Sequence, residues 1–148
     1  PRFVGGYLGY LLGQASHAVY RDFENAVAAQ GLTHIAWRVL ASLHDARAAA
    51  GQTGDGAVPV GQLARDVLAK QPTVTKLVQR MADEGLLVLR ADPQDQRRTL
   101  VAASEAGLRA ARILITEALA QEQSLLTQWS TGEVDTLKRM LQRLAVGG

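Results

Sequence analysis

The chain has 148 residues, 47% hydrophobic and 20% charged, with a net charge of +2. That length and balance suit one folded domain with a real core and exclude a disordered chain. Cysteine is absent, which excludes disulfides, thiolate metal sites and cysteine nucleophiles.

No apolar run approaches the ~20 residues of a membrane span, and Pro1-Arg2-Phe3-Val4 does not open a signal peptide, so a cytoplasmic protein without membrane contact is expected. From about Val4 to Gln30, Leu8, Leu11, Leu12, Ala15, Val19, Phe23, Ala26 and Val27 recur at three- and four-residue steps. This predicts one helix with a buried stripe, stopped at Gly31. Thr33 is a candidate N-cap for a second helix that carries Ala36, Trp37, Leu40 and Leu43 and fades near Ala50. Gly51 to Gly56 reads as a flexible loop.

Two short helices follow. Val60 to Val67 turns Leu63, Ala64 and Val67 inward. Gln71-Pro72-Thr73 opens the next, because proline is tolerated in a first turn. Its inward residues Val74, Leu77, Val78 and Met81 are spaced i, i+3, i+4 and i+7, and Gly85 ends it. The period then changes. Leu86 to Arg90 and Thr99 to Ala102 read as paired strands, joined by a longer polar tip from Ala91 to Arg98. A long helix from Ser104 to about Trp129 carries Leu108, Ala111, Leu114, Ile115, Ala118, Leu119, Leu125 and Leu126. Ser130-Thr131-Gly132-Glu133 has the pattern of a capped start for a last helix bearing Val134, Leu137, Leu141 and Leu144.

Two short helices with a tight turn, then a hairpin with a charged tip, define a winged helix-turn-helix. The outward face of the second short helix holds Gln71, Thr73, Thr75, Lys76, Gln79 and Arg80. Hydroxyls, amides and cations of this kind reach base edges and phosphates, whereas an ordinary solvated face mixes in acids. On the hairpin tip, Arg97 and Arg98 suit a narrow, electronegative minor groove, and Asp95 is placed to brace a guanidinium. A plain surface ion pair explains the tip alone equally well.

The stretch Asp92-Pro-Gln-Asp95-Gln-Arg97-Arg98-Thr-Leu-Val101, followed by Ser104-Glu-Ala-Gly107, closely resembles the wing of the MarR family of bacterial transcription regulators. Gly31-Leu32 leading into Ala36-Trp37-Arg-Val39-Leu40 is similar to that family's second helix, and Gln71 to Val78 to its recognition helix. The chain departs from the family at Ala103-Ser104, where Leu-Thr is usual, and in a longer loop from about Arg47 to Val58. The resemblance implies that Arg97 is the minor-groove arginine and Asp95 its brace. It implies a mainly α fold with a small β-hairpin wing, and a homodimer with intertwined N- and C-terminal dimerisation helices.

On this reading residues 1–148 form a single domain. Its winged lobe covers about 33–103, and its dimerisation helices cover about 4–30 and 104–146. The apolar faces of the first and last helices also favour a dimer, since a second copy would cover Leu11, Leu137, Leu141 and Leu144; packing within one chain is the alternative. The implied function is a repressor released from a pseudo-palindromic operator, an inverted repeat in double-stranded DNA, by a small aromatic or heteroaromatic carboxylate. Candidate effector residues are Ser16, His17 and Tyr20, beside Gly9 and Gly13, and Trp37, Arg38 and His44. Trp37 also fits a core, and the two histidines fit ordinary half-exposed positions.

No enzyme and no cofactor are expected. Gly51, Gly54 and Gly56 lack the strand and the Lys-Ser/Thr of a phosphate loop, and His17, His34 and His44 lack a paired metal-ligand spacing. The competing function is a helical dimerisation or protein-interaction module that ignores DNA.

Overall fold

The computed structural model describes residues 2–147. Its elements run α1 (Leu8–Tyr20), α2 (Phe23–Ala29), α3 (His34–Ala50), β1 (Val58–Pro59), α4 (Val60–Asp66), α5 (Gln71–Asp83), β2 (Leu87–Asp92), β3 (Asp95–Ala103), α6 (Glu105–Leu125) and α7 (Thr131–Gly147). They form two compact units: residues up to Phe23 together with those from Ala118 onward, and Glu24–Glu117. The winged region expected at 33–103 lies inside the second unit.

In the second unit a sheet of order β1-β3-β2 packs with α3, α4 and α5. Val39, Leu40, Leu43, Leu63, Val74, Val78, Met81 and Val101 are almost wholly removed from water. The i, i+3, i+4, i+7 spacing on α5 therefore does bury one face, at roughly 1.5–3 kcal/mol per large apolar side chain. Thr33 caps α3 by accepting from the Ala36 N–H at 3.2 Å.

The junction between α5, the hairpin and α6 is tightly bonded. Ser104 Oγ donates to the Gly85 carbonyl at 2.6 Å and accepts from the Gly107 N–H at 3.1 Å. The Ser104 N–H donates to the Leu86 carbonyl at 3.0 Å. Gly107 permits this approach, since a Cβ there would stand 2.1 Å from the Leu86 carbonyl oxygen.

Three expectations change. The single helix from 4 to 30 is two, broken by a turn at Arg21–Asp22. Its stripe is buried only in the second piece: Phe23 and Val27 are buried, but α1 has no buried residue.

The glycine loop is not loose. Gly56 lies with its Cα against the backbone of Ala46 and Arg47, where a Cβ would come within 2.5 Å. It leads into β1, which pairs Val58 with Val101 and Pro59 with Leu100. Proline is tolerated there because β1 is an edge strand.

The hairpin connection is also tighter than a long polar tip. The turn is Pro93–Gln94, and the strands continue to Asp92 and Asp95. The extra length appears instead as a bulge. Ala91 pairs with Thr99 but Asp92 pairs with Asp95, which leaves Gln96, Arg97 and Arg98 without opposite partners.

In the first unit, the start expected for the last helix is a reciprocal capping box. The Ser130 N–H donates to Glu133 Oε1 at 3.0 Å, and the Glu133 N–H donates to Ser130 Oγ at 3.1 Å. The Ser130 N–H first, and the Ser130 hydroxyl second, hold the Glu133 carboxyl below its ordinary pKa. The preceding helix ends at Leu125, short of Trp129. Neither α1 nor α7 buries a residue: Leu11 is 45% exposed, Leu137 49%, Leu141 41% and Leu144 49%.

Helix α4 ends in a left-handed turn without glycine. Ala69 N–H donates to the Ala64 carbonyl at 3.1 Å and Leu68 N–H to the Arg65 carbonyl at 3.3 Å, with Leu68 at φ 59°. A left-handed L-residue costs ~1–2 kcal/mol, and glycine returns ~0.5–1 kcal/mol of that as chain entropy. Leu68→Gly is therefore expected to stabilise the fold by about 0.5–1 kcal/mol. Gly107→Ala, which drives a methyl into the Leu86 carbonyl, is expected to cost ~2 kcal/mol or more. Urea unfolding of both variants checks the two opposite signs.

Candidate nucleic-acid interface

The outward residues of α5 are those the periodicity selected. Gln71, Thr73, Thr75, Lys76, Gln79 and Arg80 are all exposed, while the opposite face is core. Pro72 stands in the first turn and no acid does, so the positive end of the helix dipole is left uncompensated. Arg80 lies 3.9 Å from Glu84, near the far end.

Beside this face stands the hairpin. The Arg97 N–H donates to Asp95 Oδ1 at 3.1 Å, and Arg97 Nε donates to the same oxygen at 3.3 Å. One carboxylate thus fixes both the turn and the root of a side chain that is 94% exposed. Sequence reasoning missed a second brace: Arg98 Nη1 stands 3.8 Å from Asp92 Oδ2. Asp92 also accepts from the Gln94 N–H at 2.9 Å. Each tip aspartate therefore closes a short turn and holds one of the arginines of the bulge.

Gln71, Thr75, Gln79, Arg97 and Arg98 all line one groove of about 520 Å³ between the helix pair and the hairpin. Gln62 and Arg65 of α4 line it too, and neither was singled out from sequence. Thr73, Lys76 and Arg80 line a separate cavity of about 530 Å³ on the other side of α5, with Thr33 and His34. There the pKa of His34 is lowered, first by burial and then by the charge of Arg38.

The wing is anchored at its base by a contact with no sequence signal. Arg90 of β2 donates to Asp55 of the glycine loop, 35 residues away in the chain. That hydrogen bond holds the Asp55 carboxyl below the ordinary aspartate pKa, helped by the Ala57 N–H at 3.0 Å and opposed by partial burial.

The candidate effector residues fall in different units. Ser16, His17 and Tyr20 are on α1, where Ser16 and His17 are exposed and Tyr20 is half-buried. Trp37, Arg38 and His44 are half-buried on α3, so Trp37 is not a fully buried core residue. His44 Nδ1 lies 3.8 Å from Asp45 Oδ1. Among the described residues no group of acids and histidines could hold a metal ion, and no helix is long and apolar enough to cross a membrane.

A helix pair with an acid-poor outward face, followed by a hairpin that displays two braced arginines, defines a winged helix-turn-helix regulator. Comparison with known proteins identifies its kin. A sequence model of the MarR family matches residues 30–98. The crystal structure of a MarR family transcriptional regulator from Silicibacter pomeroyi DSS-3 is 31% identical, with a TM-score of 0.79, over 98% of this chain and 99% of that one. The chain belongs to the MarR family of transcriptional regulators.

The transcriptional activatory protein BadR of Rhodopseudomonas palustris is 31% identical over 100 residues, 68% of this chain; the match spans about half (54%) of that protein's length. The fold is shared by CouR from Rhodococcus jostii RHA1, solved bound to p-coumaroyl-CoA, with a TM-score of 0.81 at 21% identity over 98% of this chain and 96% of that one.

Two results are expected. Arg97→Ala weakens DNA binding more than Arg143→Ala on α7 and lowers the salt slope by about one if the guanidinium meets phosphate; fluorescence anisotropy across a salt titration reads both. Asp55 titrates lower in the folded than in the unfolded chain. Its stabilisation is therefore complete above the unfolded pKa and lost as pH falls through the folded one. Asp55→Asn should flatten that acid limb in thermal melts from neutral pH downward.

Proposed function

We propose that the chain acts as a homodimeric repressor that binds an inverted repeat in double-stranded DNA and is released by a small aromatic carboxylate. The observation that carries the DNA reading is the groove in which Gln71, Thr75 and Gln79 of the α5 face meet both wing arginines. Gln71, Thr73, Thr75, Lys76, Gln79 and Arg80 serve the major groove. Arg97 and Arg98 serve the flanking minor groove and its phosphates, with Asp95 as brace. A purely protein-binding module leaves this arginine display without a purpose.

The dimer is supported by the apolar faces of α1 and α7, exposed in the single chain at Leu8, Leu11, Leu137, Leu141 and Leu144. Such faces mark an interaction site rather than a solvated surface. In this proposal α1 and the segment from Ser104 onward are the dimerisation helices, and the whole chain works as one regulator in the cytoplasm.

For the effector, Ser16, His17, Tyr20, Trp37, Arg38 and His44 offer aromatic walls, hydroxyls and a cation, the groups an aromatic acid needs. The p-coumaroyl-CoA bound by CouR is an aromatic acyl thioester and not a free acid, so it supports the aromatic part of this reading. The ligand must favour a dimer whose recognition helices are wrongly spaced for DNA; a hundredfold loss of affinity needs ~2.7 kcal/mol of coupling. Activation is the second reading, favoured by the activator BadR among the relatives.

The test begins with duplexes selected from a randomised pool. Footprinting should reveal two symmetric half-sites about one helical turn apart, ~34 Å, and sedimentation should give twice the chain mass. Leu137→Glu with Leu141→Glu should yield monomers with much weaker DNA binding. Calorimetry with benzoate, cinnamate, nicotinate and p-coumaroyl-CoA should find a ligand that displaces DNA and whose binding is weakened by His17→Ala and Arg38→Ala. A single asymmetric site bound by a monomer refutes the dimeric reading. A reporter gene behind the selected site separates repression from activation.

A further inference from the structure

We propose that the groove between α4, α5 and the hairpin seats one sugar–phosphate strand of the bound duplex, and that Arg65 is its phosphate contact, aimed by Gln62 and Asp66. The inference rests on the DNA reading above and extends it to a helix that reading leaves unused. A helix in the major groove and a hairpin in the adjacent minor groove straddle the strand that separates the two grooves. That strand must pass through the gap between α5 and the hairpin. Here the gap is the groove of about 520 Å³, and no carboxylate-bearing residue lines it.

Its cations are not equivalent. Arg97 and Arg98 each stand near an aspartate, at 3.3 and 3.8 Å. Arg65 has no carboxylate within ion-pair distance among the described residues; its partner is the neutral Gln62, whose Oε1 accepts from Arg65 Nη2 at 2.8 Å. Gln62 Nε2 in turn donates to Asp66 Oδ1 at 2.8 Å. A carboxylate only accepts, so Asp66 fixes which way the amide faces and turns its oxygen toward Arg65. The guanidinium is oriented by one bond, with its charge unneutralised and its remaining donors available for a phosphate. Gly61 completes the seat: a Cβ there would meet Gln71 Oε1 at 3.3 Å and Arg65 Nη1 at 4.0 Å.

The experiment measures binding of wild type, Arg65→Ala, Arg65→Lys, Gln62→Leu and Arg97→Ala to a pool-selected duplex and to its scrambled sequence, each across a potassium chloride titration. Arg65→Ala should weaken both duplexes alike, by roughly tenfold. It should also lower the slope of log affinity against log salt by about one. Arg65→Lys should keep the slope. Gln62→Leu should weaken binding with the slope unchanged, the mark of a positioning residue.

Arg65 is exposed, so its variants are expected to fold, and circular dichroism checks this. Wild-type affinity and slope in Arg65→Ala, while Arg97→Ala still weakens binding, overturn the strand seat and leave the DNA reading standing. A loss confined to the selected duplex also overturns it, since a phosphate contact is blind to sequence. If the wild type binds neither duplex, the DNA reading and this inference fall together.

Discussion

Four elements depend on the bonds of one residue, Ser104. Its hydroxyl ties the end of α5, at Gly85, to the first turn of α6, at Gly107, and its N–H is bonded to Leu86 at the entrance to β2. The hairpin leaves this junction and returns to it, because β2 begins just after Gly85 and β3 ends just before Ser104. The angle between the outward face of α5 and the wing is thereby set by short backbone contacts. Only glycine at 107 permits them, since a methyl there would overlap a carbonyl. A loose hinge at this point would let the α5 face and the wing move independently, and in the proposed DNA complex it would cost the entropy of ordering them on every encounter.

On that rigid base the charge is arranged by small acids. Asp92 and Asp95 would ordinarily be unwelcome near a polyanion. Each instead closes a turn of the tip and holds an arginine, and the arginine remains the outermost group. The bulge at Gln96–Arg98 has the same consequence for the backbone, because it frees two adjacent arginines from the alternation of a regular strand. Exposed ion pairs of this sort contribute little to stability. Under the proposed function their value lies in fixing long side chains before DNA is bound, so that less rotamer entropy is lost on contact. The Asp55–Arg90 pair works at the base of the same hairpin, through a loop otherwise rich in glycine.

The first unit presents a different balance. Its helices are well made: α7 begins in a complete capping box, and α1 ends with the Arg21 N–H bonded to the His17 carbonyl at 3.0 Å. Yet their apolar faces stay in water, which a stable solitary chain would not favour. The proposed second copy resolves this. It also makes the spacing of two recognition helices a property of the interface, and so a quantity that a ligand can shift.

The sequence by itself determined the local structure of the regulatory lobe. The spacing of Val74, Leu77, Val78 and Met81 named the buried face of α5, and so its outward face as well. Thr33 and Ser130–Glu133 marked helix starts, because capping is chemistry within four residues. The run from Asp92 to Val101 was specific enough to carry the family resemblance. Tertiary structure decided what depends on residues far apart in the chain. It placed β1 beside β3, converted a long tip into a tight turn with a bulge, and joined Asp55 to Arg90 across 35 residues. It left the stripe of α1 exposed, although periodicity reports only that a face is apolar and not whether anything covers it. It also brought Arg65 to the groove. On a helix read for its inward residues, an exposed arginine carries no local signal, and its meaning comes from the hairpin that folds back to face it.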